Sequence, residues 1–82
     1  MNRIKILFFA TLSDYVGAKK LELEFPSRAT VADLKRLLIE TYPRLSPARN
    51  SMMAAVNREY AADEQVIPSE AEVAFFPPVS GG

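Results

Sequence analysis

The chain has 82 residues, 49% of them hydrophobic, and its ten basic and ten acidic side chains cancel. This describes one small domain with no surplus of charge to recruit nucleic acid or an anionic membrane as partner. It contains neither cysteine nor histidine, which excludes disulfides, thiolate nucleophiles, the usual imidazole acid or base and nearly all zinc-type ligation. A self-contained enzyme is a poor reading of such a composition, and partner proteins are the better one.

Arg3 to Phe9 reads as a β-strand, with Ile4, Ile6 and Phe8 on one face and Lys5, Leu7 and Phe9 on the other. Both faces are largely apolar, as in a central strand. The basic start and the run Ile6 to Leu12 imitate a signal peptide, but Lys5 interrupts the apolar stretch and no small-x-small cleavage site follows. Nothing approaches the roughly 18 apolar residues of a membrane span, so a cytoplasmic protein is expected. Ser13 to Gly17 is polar enough, with Gly17 as punctuation, to be a connecting loop. Lys20-Leu21-Glu22-Leu23-Glu24-Phe25 alternates cleanly and ends at Pro26, which predicts a second strand in an antiparallel hairpin with the first.

Thr30-Val31-Ala32-Asp33 has the form of a helix start, the Thr30 hydroxyl capping a free amide and Asp33 sitting in the first turn. Val31, Leu34, Leu37, Leu38 and Tyr42 follow at helical spacing, and Pro43 stops the helix. This stripe is expected to pack on a sheet. Arg44 to Ser51 reads as a loop, and Met52 to Val56 as a short buried strand whose methionines fill gaps. Asn57-Arg58 suits a turn into a brief strand at Glu59 to Ala61. Ala62 to Ala71 is an irregular return, and Glu72-Val73-Ala74-Phe75-Phe76 is the last strand. The order predicts an α+β fold with one helix across one face of a mixed sheet.

Pro77 and Pro78 then stop sheet pairing, because proline donates no backbone hydrogen bond and holds φ near −65°. The expected organisation is a domain over 1–76 and a free arm over 77–82 that ends in Gly81-Gly82. At roughly 3.3 Å per residue the arm reaches on the order of 20 Å. Two glycines lack the Cβ atoms that would keep them out of a narrow channel. Without cysteine or histidine, the carboxylate after Gly82 is the best candidate for a reactive group. If Ile4, Ile6, Phe8, Val73 and Phe75 face the helix, strand periodicity puts Leu7, Phe9, Ala74 and Phe76 on the opposite face. There they would form an apolar patch at the root of the arm, unless loops of the same chain cover it.

The element order and the Gly-Gly end resemble the ubiquitin-like β-grasp fold. More narrowly, Ile6-Leu7-Phe8-Phe9-Ala10, Val16-Gly17, Ala54-Ala55-Val56-Asn57 and Glu72 through Phe76-Pro77-Pro78-Val79-Ser80-Gly81-Gly82 resemble the small subunits of molybdopterin synthase. The resemblance implies that Gly82 is adenylated by a ubiquitin-activating-like adenylyltransferase using ATP. A sulfur donor protein then helps convert it to a thiocarboxylate, and it supplies sulfur to cyclic pyranopterin monophosphate. It further implies a large-subunit partner, in a heterotetramer of two small and two large subunits, that receives Pro77, Pro78, Val79, Ser80 and Gly81 along with the patch. No cofactor bound by this chain is implied. Related carriers for thiamin thiazole synthesis or tRNA thiolation, and a ubiquitin-like module that binds without covalent chemistry, are the alternatives. Ser13 stands where many members carry arginine. Ser69-Glu70-Ala71-Glu72 stands where many have an Asp-Gly turn, and Glu70 enters φ > 0 less cheaply than glycine.

Overall fold

The structure, a computed structural model, describes residues 2–78. Strand β1 (Asn2–Phe8) and strand β2 (Lys20–Phe25) form the expected antiparallel hairpin, with Ile4 opposite Leu23 and Ile6 opposite Leu21. The loop expected at Ser13 to Gly17 is instead mostly helix: α1 spans Thr11–Val16 and ends on Gly17 at φ 83°, whose N–H donates to the Ser13 carbonyl at 2.8 Å. Six residues are too few to show a helical period, and the glycine read as punctuation is a left-handed C-terminal cap. Burial of Leu12, with Tyr15 and Val16 packed beside it, holds this short helix on the core.

Helix α2 (Val31–Thr41) begins as the sequence requires. Thr30 Oγ1 accepts from the Asp33 N–H at 3.2 Å, and Asp33 Oδ2 accepts from the Thr30 N–H at 2.9 Å, a reciprocal capping box. Val31, Leu34 and Leu38 are buried, each contributing on the order of 2 kcal/mol in transfer terms. Leu37, expected on the buried stripe, is exposed instead, because a helix packed on one sheet presents a face too narrow to cover every apolar position. After Pro43 the expected loop is tighter than predicted: Pro43–Ala48 forms a 3₁₀ helix that buries Leu45.

Strands β3 (Met53–Val56) and β4 (Glu59–Ala61) join through Asn57-Arg58, both at positive φ (51° and 72°), the backbone shape of tight hairpins. Met52 is buried as a gap-filler, but Met53 points outward. Strand β5 (Glu72–Phe76) lies where it was expected. Together the strands form a five-stranded sheet ordered β2-β1-β5-β3-β4, parallel between β1 and β5 and antiparallel elsewhere. One face carries Ile4, Ile6, Phe8, Val73, Phe75, Ala54 and Val56 into a core shared with α2.

The return from Ala62 to Ala71 is irregular but pinned. The Val31 and Ala32 amides donate to the Gln65 and Asp63 carbonyls at 3.0 and 2.9 Å, and Ile67 N–H donates to Ala29 at 2.9 Å. Two helix-terminal amides thereby gain partners that the helix cannot supply. Lys35 Nζ adds a second tie, donating to the Met52 carbonyl at 3.1 Å and to Asp63 at 2.8 Å. At the turn before β5, Glu70 takes φ 58°, so a left-handed residue stands there without glycine.

Candidate functional site

The site is built from the centre of the sheet outward. Strand β5 lies between β1 and β3, with Phe75 in register with Phe8 on one side and Ala54 on the other. The Phe8 and Phe75 rings stack with centroids 6.1 Å apart. The chain therefore runs toward Pro77 from the central strand of the sheet, which is paired on both sides. Phe76 and Pro77 are half-buried and Pro78 is exposed. Val79, Ser80, Gly81 and Gly82, the rest of the predicted arm, lie outside the described residues.

The outer face of the sheet is divided along its length. At the end where β5 exits, Leu7 pairs with Ala74, Ala74 with Ala55, and Phe76 with Met53. Tyr60 stands edge-on to Phe76 with centroids 5.7 Å apart. Leu7, Ala74 and Phe76 are half-buried, while Phe9, just past the end of β1, is 49% exposed and Tyr60 71%. The structure thus brings together all four residues named for the patch. It adds Met53, Ala55 and Tyr60, which sequence reasoning missed. Their signal was available: an Asn57-Arg58 hairpin sets Tyr60 opposite Ala55. The exposure of Phe9, Met53 and Tyr60 shows that no described loop roofs this end of the sheet.

The opposite end is charged and internally complementary. Arg3 faces Glu24, and Lys5 faces Glu22 on one side and Glu72 on the other, cross-strand arrangements that favour opposite charges. Among the described residues, the apolar surface of this outer face is therefore gathered beside the exit of β5, the kind of patch that marks an interface.

Phe9 is presented by an unusual backbone. Ala10 adopts φ 54°, ψ −135°, a region ordinarily left to glycine. Ser13 Oγ and N–H both donate to its carbonyl, at 2.8 and 3.2 Å. This serine, where arginine was noted as common, is a local clamp on the turn that aims Phe9. Among titrating groups, Asp33 is held below the ordinary carboxylate range by hydrogen bonds from the Thr30 N–H and hydroxyl and by nearby Arg36. It serves the helix cap and lies away from the patch. Among the described residues no group of three or more acidic side chains is placed to hold a metal ion, and no helix is long and apolar enough to cross a membrane.

The model of the ThiS family matches residues 6–82. A Caenorhabditis briggsae protein named molybdopterin synthase sulfur carrier subunit is 38% identical over 84 aligned residues, covering 100% of both chains. Among solved structures, SAMP1 from Haloferax volcanii superposes with a TM-score of 0.83 at 28% identity, over 99% of this chain and 100% of that one. A chain from the complex of molybdopterin-converting factor subunits 1 and 2 of Helicobacter pylori superposes at 0.67 with 14% identity, over 98% and 99%, a likeness of fold. The mixed sheet clasping α2 is the ubiquitin-like β-grasp arrangement, and with the match running from Ile6 to the final glycine the chain belongs to the ThiS family of sulfur carriers, alongside the molybdopterin synthase small subunits.

Proposed function

We propose that this chain is the sulfur carrier subunit of a molybdopterin synthase and that Gly82 bears the sulfur. The observation that carries this reading is the end-to-end likeness to a sulfur carrier subunit, joined to an arm rooted in the central strand of the sheet. A carboxylate is a poor electrophile. Transfer of AMP from ATP by a ubiquitin-activating-like adenylyltransferase releases pyrophosphate and leaves an acyl-adenylate. The terminal sulfur of a persulfide on a donor protein then displaces AMP to give an acyl disulfide, and a second thiol of the donor attacks its S–S bond, leaving a disulfide on the donor and freeing the thiocarboxylate. Its sulfur is nucleophilic without any cysteine in the carrier, and it is delivered to cyclic pyranopterin monophosphate in the cytoplasm.

The catalytic acids and bases in this scheme belong to the large subunit. The apolar end of the sheet, Leu7, Phe9, Ala74 and Phe76, seats that subunit, while Pro77 through Gly81 thread the reactive end into its pocket in an assembly of two small and two large subunits. Incubation with the activating enzyme, ATP and a sulfur donor tests this by intact-mass spectrometry. The expected result is replacement of one oxygen by sulfur, mapped to Gly82. An unchanged mass with a competent system, or sulfur mapped elsewhere, overturns the carrier reading.

A further inference from the structure

The charged rungs of the outer face place a carboxylate opposite each cation until the last one. Arg3 has Glu24, and Lys5 has Glu22 and Glu72, but Lys20 stands opposite Leu7. Lys19 precedes it, its carbonyl accepting from the Phe8 N–H at 2.9 Å. Neither lysine takes part in an ion pair among the described residues. Asp14 borders a neighbouring hollow with Lys19 but makes no such pair. Both lysines are exposed. They rim a largely apolar hollow of about 440 Å³ whose walls include Leu7, Phe9 and Ala10. In a chain of zero net charge, two uncompensated ammonium groups border the apolar seat on its β2 side.

We propose that Lys19 and Lys20 receive an acidic edge of the large subunit, an apolar side chain of that edge entering the hollow against Phe9 while its carboxylates meet the two ammonium groups. This rests on the reading of the apolar end as the large-subunit seat and adds a charge-specific margin to it. Continuity of the hollow with that seat through Leu7 and Phe9 fixes where the edge lies, and the sign of the rim fixes its chemistry. Paired charges at such a rim act chiefly on association rate and on discrimination between partners, and salt screens them.

The test is titration calorimetry and stopped-flow association of the full chain with the large subunit of the same organism, at low and at raised salt. The variants are the Lys19→Glu/Lys20→Glu double reversal, the milder Lys19→Gln/Lys20→Gln pair and Phe76→Ala. The reversal is expected to slow association and weaken binding about ten-fold at low salt, to flatten the salt dependence, and to leave the melting temperature in place because both side chains are exposed. The glutamine pair shows the same trend at smaller size and replaces the reversal if that variant folds poorly. Unchanged affinity and salt dependence in the lysine variants, with binding weakened by Phe76→Ala, overturns the proposal and leaves the seat standing. If neither change matters, the seat fails as well. A chain ending in a carboxamide separates the remaining source of negative charge: loss of the lysine effect there assigns the rim to the chain's own terminal carboxylate and overturns the proposal.

Discussion

Phe9 donates its backbone N–H to the Phe75 carbonyl at 3.0 Å, one hydrogen bond beyond the last residue of β1. This bond continues the parallel ladder to the residue before Phe76, so the backbone at the exit of β5 is held on the β1 side up to the point where two prolines forbid further pairing. It also ties the exposed Phe9 to the backbone just before Phe76 and Pro77.

Phe9→Ala and Phe76→Ala are expected to weaken binding of the large subunit by about 2 kcal/mol each, as aromatic anchors in interfaces do, with a smaller effect on the isolated domain. Calorimetry of both quantities checks this. A collapse of the melting temperature with unchanged affinity per folded molecule would place the two residues in the core and the interface elsewhere.

Removal of Gly82 should abolish sulfur transfer and leave the thermal midpoint nearly unchanged, since chain ends outside a packed core contribute few buried contacts. Gly81→Ile, or an extension by one residue, should cost on the order of 100-fold in transfer rate, because a misplacement of about 1 Å suffices for that. Single-turnover assays decide it, and wild-type turnover by Gly81→Ile would rule out a narrow channel.

The capping box gives an acid-side signature. Asp33 is held below its ordinary value of 3.8 in the folded chain, so its contribution to stability is present above that value and is lost as pH falls through the lower folded one. Melting curves of the wild type and Asp33→Asn should differ most near neutrality and converge in acid. Thr30→Ala, which removes the hydroxyl that accepts from Asp33 N–H, should cost about 1 kcal/mol. For a domain of this size that lowers the midpoint by roughly 4–8 °C.

Ala10 beside Phe9 and Glu70 before β5 are non-glycine residues in positive-φ backbone. Glu70→Gly and Ala10→Gly relieve that cost and are expected to stabilise the domain by up to about 1 kcal/mol each. Chemical denaturation measures it, and destabilisation by Glu70→Gly would mean that the glutamate side chain holds the turn.

The sequence by itself determined the features that are local in the chain. Alternation over Lys20 to Phe25, the Thr30 and Asp33 pair, the Asn57-Arg58 turn and the Phe-Phe-Pro-Pro exit each follow from sterics and hydrogen bonding within a few residues, and all stand in the structure. Helix α1 was not legible, because a six-residue helix gains its stability from burying Leu12 rather than from its own turns. Leu37 was assigned to the interior on helical spacing and Met53 on the reading of a buried strand; the narrow contact between α2 and the sheet leaves Leu37 exposed, and alternation along β3 turns Met53 to the outer face opposite Phe76. Tertiary structure alone decided the extent of the apolar seat, since Met53, Ala55 and Tyr60 reach it only through the β5-β3-β4 register. It also decided that Lys20 lacks a carboxylate where Arg3 and Lys5 have one opposite. Which side chains meet across strands depends on pairing between distant segments, and local propensity carries no record of that pairing.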